Sequence, residues 1–194
     1  VVDAVPYPWP YDGALRFERV ALVVAGAQRA WADRSHNAAG VAAAIERVAA
    51  AIRAAGGLVV IVRHAAPFNG RGALPPARRG RGSDLVVTPT VVDLVVDAGG
   101  IDGFYASGLD DELRGRHVDH LVLCGYGAEA AVDSTLRSAN DRGYECLTLS
   151  DGVAPFEIDT GRHALSSITM SGGIFGAVAP SDALLAHLPV LETL

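Results

Sequence analysis

The chain has 194 residues and 20.1 kDa, half of them hydrophobic, with 22 acidic against 16 basic side chains and a formal net charge of −6. That size fits one globular domain over 1–194 with a sizeable core. The acidic balance argues against a nucleic-acid surface, and no apolar stretch reaches the roughly 18 residues of a membrane span.

The first 18 residues, with Tyr7, Trp9 and Tyr11 interleaved with prolines, suggest an extended arm that packs on this or a neighbouring subunit; 1–10 lack the basic flank and apolar centre of a targeting segment. Residues 20–24 are continuously apolar and stop at Ala25-Gly26, as a strand buried on both faces would. Over 35–55, Val41, Ile45, Val48 and Ile52 recur at helical spacing among alanines, with Ser35 or Asn37 as N-cap and Gly56-Gly57 as the stop. A second β-branched run fills 58–62.

Residues 65–90 lack periodicity and are rich in Gly, Pro and Arg, so a long loop is expected there; its Arg71, Arg78, Arg79 and Arg81 read as a solvated cluster, with an acidic ligand or partner as the alternative. Further strands are expected at 94–96, 119–124, 144–149 and 174–178, and helices at 109–116, 129–142, 159–171 and 181–188, the last capped by Ser181. The alternation predicts a three-layer α/β/α fold, a doubly wound, mostly parallel six-stranded sheet of Rossmann-like type with helices on both faces. In such sheets ligands sit at the carboxyl ends of the strands, here 25–28, 64–68, 97–102 and 125–131.

The turn Gly125-Tyr126-Gly127-Ala128-Glu129-Ala130-Ala131 opens a helix after a buried strand, so free N–H groups and the helix dipole favour an anion or oxyanion. It carries neither the glycine fingerprint of a dinucleotide site nor a Walker lysine, and no cofactor is expected. Cys124 and Cys146 lie in apolar strands and read as buried thiols rather than a displaced nucleophile or a disulfide framework, which suits a reducing cytoplasm. His64 ends a strand beside Arg63, while His36, His117, His120, His163 and His187 are scattered without ligand spacing, so no metal site is expected.

Several segments together carry a resemblance over nearly the whole chain. They are Tyr7-Pro8-Trp9-Pro10, Ala21-Leu22-Val23-Val24 through Gln28 and Trp31, Gly103-Phe104-Tyr105-Ala106-Ser107, Leu121-Val122-Leu123-Cys124-Gly125-Tyr126, the run from Val132-Asp133-Ser134-Thr135 to Cys146, and Gly172-Gly173-Ile174-Phe175-Gly176. The chain resembles the isochorismatase-like cysteine hydrolases, and within them the biuret and ureidoacrylate amidohydrolase branch. The resemblance implies that family's fold, a dimeric or tetrameric assembly, and a catalytic aspartate, lysine and cysteine. Placed by the flanking residues, these three fall on Gly26, Ala98 and Ala131.

None of the three can supply a nucleophile, a proton shuttle or a charge. The resemblance further implies an oxyanion hole from the N–H groups of Gly127 and Ala131, with a cis peptide at Tyr126-Gly127. Gln28, Trp31, His64, Asp102, Phe104, Tyr126 and Glu129 are the candidate pocket-lining residues, and three small side chains in place of the triad predict an apolar, enlarged pocket. Glu129 and Asp133, on the first turns of a helix, and Asp97 and Asp102, beside the vacated lysine position, are expected to be structural or solvated. The sequence therefore points to a pseudoenzyme that binds a small ligand or associates with copies of itself or an active paralogue. The alternative is a hydrolase of a small amide, ureide or enol ether in which His64, Asp97, Asp102 or Glu129 activates water.

Overall fold

A computed structural model describes residues 1–64, 84–85 and 89–188. Most of the expected loop at 65–90, with Arg71, Arg78, Arg79 and Arg81, lies outside the described residues, as does 189–194.

Six strands form one sheet in the order β3-β2-β1-β4-β5-β6, and every neighbouring pair is parallel. They are β1 (Val20–Ala25), β2 (Leu58–His64), β3 (Leu94–Ala98), β4 (His120–Tyr126), β5 (Glu145–Ala154) and β6 (Ala177–Ala179). All residues of β1 and β4 are buried, as their unbroken apolar runs require of central strands covered on both faces. Between them come α1 (Arg29–Ala32), α2 (Ala38–Ala54), α3 (Leu109–Gly115), α4 (Asp133–Asp141), α5 (Ile158–Met170) and α6 (Ser181–Leu185). Helix α2 lies across β1, β2, β4 and β5 with α6 beside it, while α4 and α5 pack on β5 and β6.

Several expected boundaries move, among them these, each for a local reason. Helix α2 starts at Ala38 because the Ser35 hydroxyl donates back to Trp31 O (2.9 Å) and closes α1, a short helix the sequence pattern did not suggest; Asn37 holds the cap position with a φ of 56° and no side-chain capping bond. The expected helix at 129–142 divides into a π turn (Ala128–Val132) and α4, with Val132 N–H reaching Gly127 O at 3.3 Å. Strand β6 starts at Ala177, not residue 174, because Gly172, Gly173 and Gly176 turn the chain at positive φ; a β-carbon on Gly176 would lie 2.2 Å from Cys146 O. Ser181 is the first residue of α6 and not its cap; Pro180 holds the cap position without a side-chain capping bond, and the Ser181 N–H and hydroxyl both go to Asp151 (2.7 and 2.6 Å).

The N-terminal arm packs on its own chain. Val2 and Trp9 exchange backbone hydrogen bonds (2.6 and 3.0 Å) and are fully buried, and Val5 pairs antiparallel with Val178, so the arm covers the β6 edge. At the amino edge of the sheet, Trp9 meets His120 edge to face, and His120 lies between Asp119 (2.5 Å) and Glu145 (3.5 Å).

Candidate functional site at the carboxyl edge of the sheet

Strand order reverses between β1 and β4, so the crevice of this topology opens beyond Ala25 and Tyr126. Here the two strand ends touch. Gly26 leaves β1 with a φ of 67°, and a β-carbon on it would lie 2.6 Å from Tyr126 O. An L side chain is doubly disfavoured there, by the left-handed backbone and by the carbonyl in its path.

The space beside Gly26 and Gly127 is taken by Trp31. Its ring lies 3.5 Å from where a Gly26 β-carbon would stand and 2.8 Å from the corresponding point on Gly127, where Phe156 Cζ comes within 2.7 Å. Trp31 also meets Phe156 and His64 at centroid distances of 5.5 and 5.6 Å. On the β1 and β4 side, large aromatic side chains therefore fill the space beside Gly26 and Gly127, where an enlarged pocket was expected.

The expected oxyanion hole is altered. Gly127 N–H donates to Ala154 O at 2.8 Å, because β5 runs on to Ala154 alongside Tyr126 and sets that carbonyl at the turn. Among the described residues the cis peptides are Val5–Pro6 and Trp9–Pro10, so Tyr126–Gly127 is trans, against expectation. Ala131 is fully buried within the π turn. Phe156 and the Ala154 carbonyl were not among the candidates; the apolar pair Val153-Ala154 after Gly152 was the available sign that β5 continues this far.

Gln28, Trp31 and His64 do come together. The Gln28 carboxamide spans the His64 backbone, its Oε1 accepting His64 N–H (2.6 Å) and its Nε2 donating to His64 O (3.0 Å). His64 Nδ1 lies 3.0 Å from Gly100 O; a carbonyl only accepts, so Nδ1 carries the hydrogen and Nε2 a lone pair. That Nε2 is buried without a partner among the described residues. Burial lowers the pKa of His64 to about 4, partly offset by the Gly100 hydrogen bond, which keeps the ring neutral near pH 7. Ala98, at the implied lysine position, is the register partner of His64.

The other candidates are used elsewhere. Tyr126 OH donates to Ala38 O (3.3 Å), under α2. Phe104 stacks on Tyr144 (5.8 Å) beneath Arg142, and Asp102 accepts the Phe104 N–H (2.8 Å). Asp97 is held by two hydrogen bonds from Arg63 (2.8 and 3.0 Å), and Asp133 pairs with Arg137 (3.1 Å). Glu129 Oε1 accepts Phe156 N–H (2.9 Å), Glu157 N–H (3.0 Å) and the Thr160 hydroxyl (2.9 Å), so this carboxylate caps α5.

Cys124 and Cys146 are buried strand thiols. Their Sγ atoms face Val23 O and Tyr144 O (3.8 and 3.7 Å), and burial pushes both pKa values far up, so neither offers a thiolate. Among the described residues no group of three or more His, Cys, Asp or Glu is placed to hold a metal, and no helix is long and apolar enough to cross a membrane.

Comparison with known proteins places the fold in a family. The Isochorismatase domain family matches residues 20–180. Ureidoacrylate amidohydrolase RutB of Variovorax paradoxus is 30% identical over 190 residues, which cover 79% of this chain and 74% of that protein. The uncharacterized isochorismatase family protein YwoC of Bacillus subtilis is 38% identical over 53 residues, 27% of this chain and 28% of that one. The Methylobacterium, Methylorubrum and Caulobacter RutB proteins are matched over less than half of their length.

Among solved structures, a cysteine hydrolase from Pseudomonas syringae pv. phaseolicola superposes with a TM-score of 0.78 at 22% identity, covering 94% of this chain and 95% of that one. N-carbamoylsarcosine amidase from Thermoplasma acidophilum does so with a TM-score of 0.69 at 25% identity, covering 84% and 97%. With the family matched across most of its length, its six-stranded parallel sheet shared with these structures and its similarity to RutB, the chain belongs to the isochorismatase-like hydrolases, close to the ureidoacrylate amidohydrolases.

Proposed function

We propose that this chain is a catalytically vacant isochorismatase-like protein that binds a small ligand or a protein partner and does not turn a substrate over. One observation carries the reading. Gly26, which stands where the resemblance places the catalytic acid, has a backbone and a neighbouring carbonyl that leave no place for a side chain. Trp31 packs against Gly26 and Gly127, so the space beside that position is occupied.

Of the four groups that might replace the triad, Asp97 is tied to Arg63, Asp102 to its own loop and Glu129 to α5. Among the described residues His64 Nε2 and Glu129 Oε2 both keep a buried acceptor without a partner, and His64, whose Nδ1 is fixed by Gly100 O while Glu129 is already held at the start of α5, favours a second reading: a hydrolase using His64 as general base. Such a base lacks a nucleophile and a charged stabiliser beside it among the candidates, so vacancy is the better account. Association as a homo-oligomer, dimer or tetramer, or with an active paralogue accords with Ile158, Met170 and Ile174, which stay exposed on α5 and the turn after it.

Ammonia release over a panel of ureidoacrylate, biuret and simple amides, with an active amidohydrolase as control, tests the proposal. The expected result is no release above buffer. Release that His64→Leu abolishes would establish the second reading instead.

A further inference from the structure

His64 combines tight fixation with one unused atom. Three hydrogen bonds hold it: two from the Gln28 carboxamide to its backbone and one from Nδ1 to Gly100 O. The fourth group, Nε2, is buried with no partner among the described residues, while the residue as a whole is 2% exposed. A buried unpaired acceptor destabilises a fold unless something outside the chain pairs with it.

The ring's position points the same way. It stands at the carboxyl end of β2, between the turn after β1 and the end of β3, on the edge where parallel sheets bind ligands. Trp31 closes the β1 and β4 side of that edge and supplies an aromatic face to His64. On the other side the register partner is Ala98, whose methyl group neither donates nor carries charge.

We infer that His64 Nε2 is the recognition atom of a small-ligand site on the β2 and β3 side of this edge, and that it accepts a hydrogen bond from a neutral N–H or O–H group. The fixed tautomer sets the selectivity. With its hydrogen committed to Gly100 O, the ring has only a lone pair to offer, which repels a carboxylate at that point and welcomes an amide, urea or hydroxyl donor. Burial keeps the ring from protonating near neutral pH, so the preference holds across the physiological range. This inference rests on the vacancy reading, since it assigns binding and no chemistry to His64.

Nitrogen-15 NMR of the histidine side chains, with benzamide and benzoate as probes, tests it on the intact chain. In the free protein the His64 Nε2 signal is expected at the position of an unprotonated nitrogen and Nδ1 at that of a protonated one. Benzamide should move the Nε2 signal toward the hydrogen-bonded position and bind about tenfold or more tightly than benzoate, the difference one well-formed hydrogen bond makes. His64→Leu should remove most of that preference.

An Nε2–H tautomer, equal binding of the two probes, no binding of benzamide, or an unchanged preference in His64→Leu would each overturn the inference. If His64→Leu does not fold, the tautomer and the titration of the unaltered chain decide the matter alone. Ammonia released from benzamide would overturn the vacancy reading, whereas absence of both binding and ammonia would overturn only the assignment of His64.

Discussion

At Gly26 the backbone itself resists a side chain. Its left-handed φ costs an alanine about 1–2 kcal/mol, before counting the approach to Tyr126 O. Gly26→Ala should therefore lower unfolding free energy in urea titrations by at least that amount, and Gly26→Asp by more. The triple variant Gly26→Asp, Ala98→Lys, Ala131→Cys should release no ammonia from ureides, because its aspartate is offered a position already occupied; recovery of turnover would contradict this.

His64 adds a pH dependence. Its folded pKa, about 4, lies below the 6.5 of an unfolded histidine, so between these values the unfolded chain binds more protons and stability falls as pH falls. The full effect is about 3 kcal/mol. His120 works on the other limb: burial pulls its pKa down, but hydrogen bonds and charge from Glu145 and Asp119 outweigh this and raise it, so its contribution is full below 6.5 and fades as pH rises through the raised value. Urea titrations from pH 4 to 8 should show a steep acid limb that His64→Leu flattens; an unchanged limb would mean that the imidazole does not titrate as described. The implied position at 131 rests on a dense flanking match, whereas Ala98-Gly99-Gly100-Ile101-Asp102 departs from the family's usual residues and places 98 on a sparser one. The clamp from Gln28 to His64 was not legible in the sequence, since it depends on how β1 and β2 lie side by side. Nor was the direction of Phe104 and Tyr126, which point to Tyr144 and Ala38 rather than to the site.

At the scale of elements, β5 and the segment after it decide the shape of the crevice. The strand's extension to Ala154 brings a carbonyl to Gly127 N–H, and Phe156 follows at once to pack on Trp31. Glu129 secures this arrangement by capping α5 from the π turn. Glu129→Ala should cost about 1 kcal/mol, the worth of an N-cap, while Glu129→Gln, which keeps an acceptor, should cost less; thermal unfolding of the two variants checks the order. Helix and strand positions were legible from apolar periodicity, as at Val41, Ile45, Val48 and Ile52. The π turn and the late start of β6 were not, because hydrophobic spacing says little about a single widened turn or about glycines at positive φ.

For the whole molecule, the alternation of strands and helices specified a doubly wound sheet, and the arm, the sheet and the flanking helices bury one continuous core. Strand order had to come from the structure, and with it the finding that the switch point lies between Gly26 and Tyr126 and is closed. The hydrolase fold is retained, and beside Gly26 and Gly127 the crevice is filled by Trp31 and Phe156; the proposed reading is that its chemistry is gone. Ammonia release per mole of chain from ureidoacrylate, measured beside an active RutB in the same assay, tests this most directly. The account predicts a rate equal to that of buffer, and multiple turnovers by the chain, surviving repurification, would contradict it.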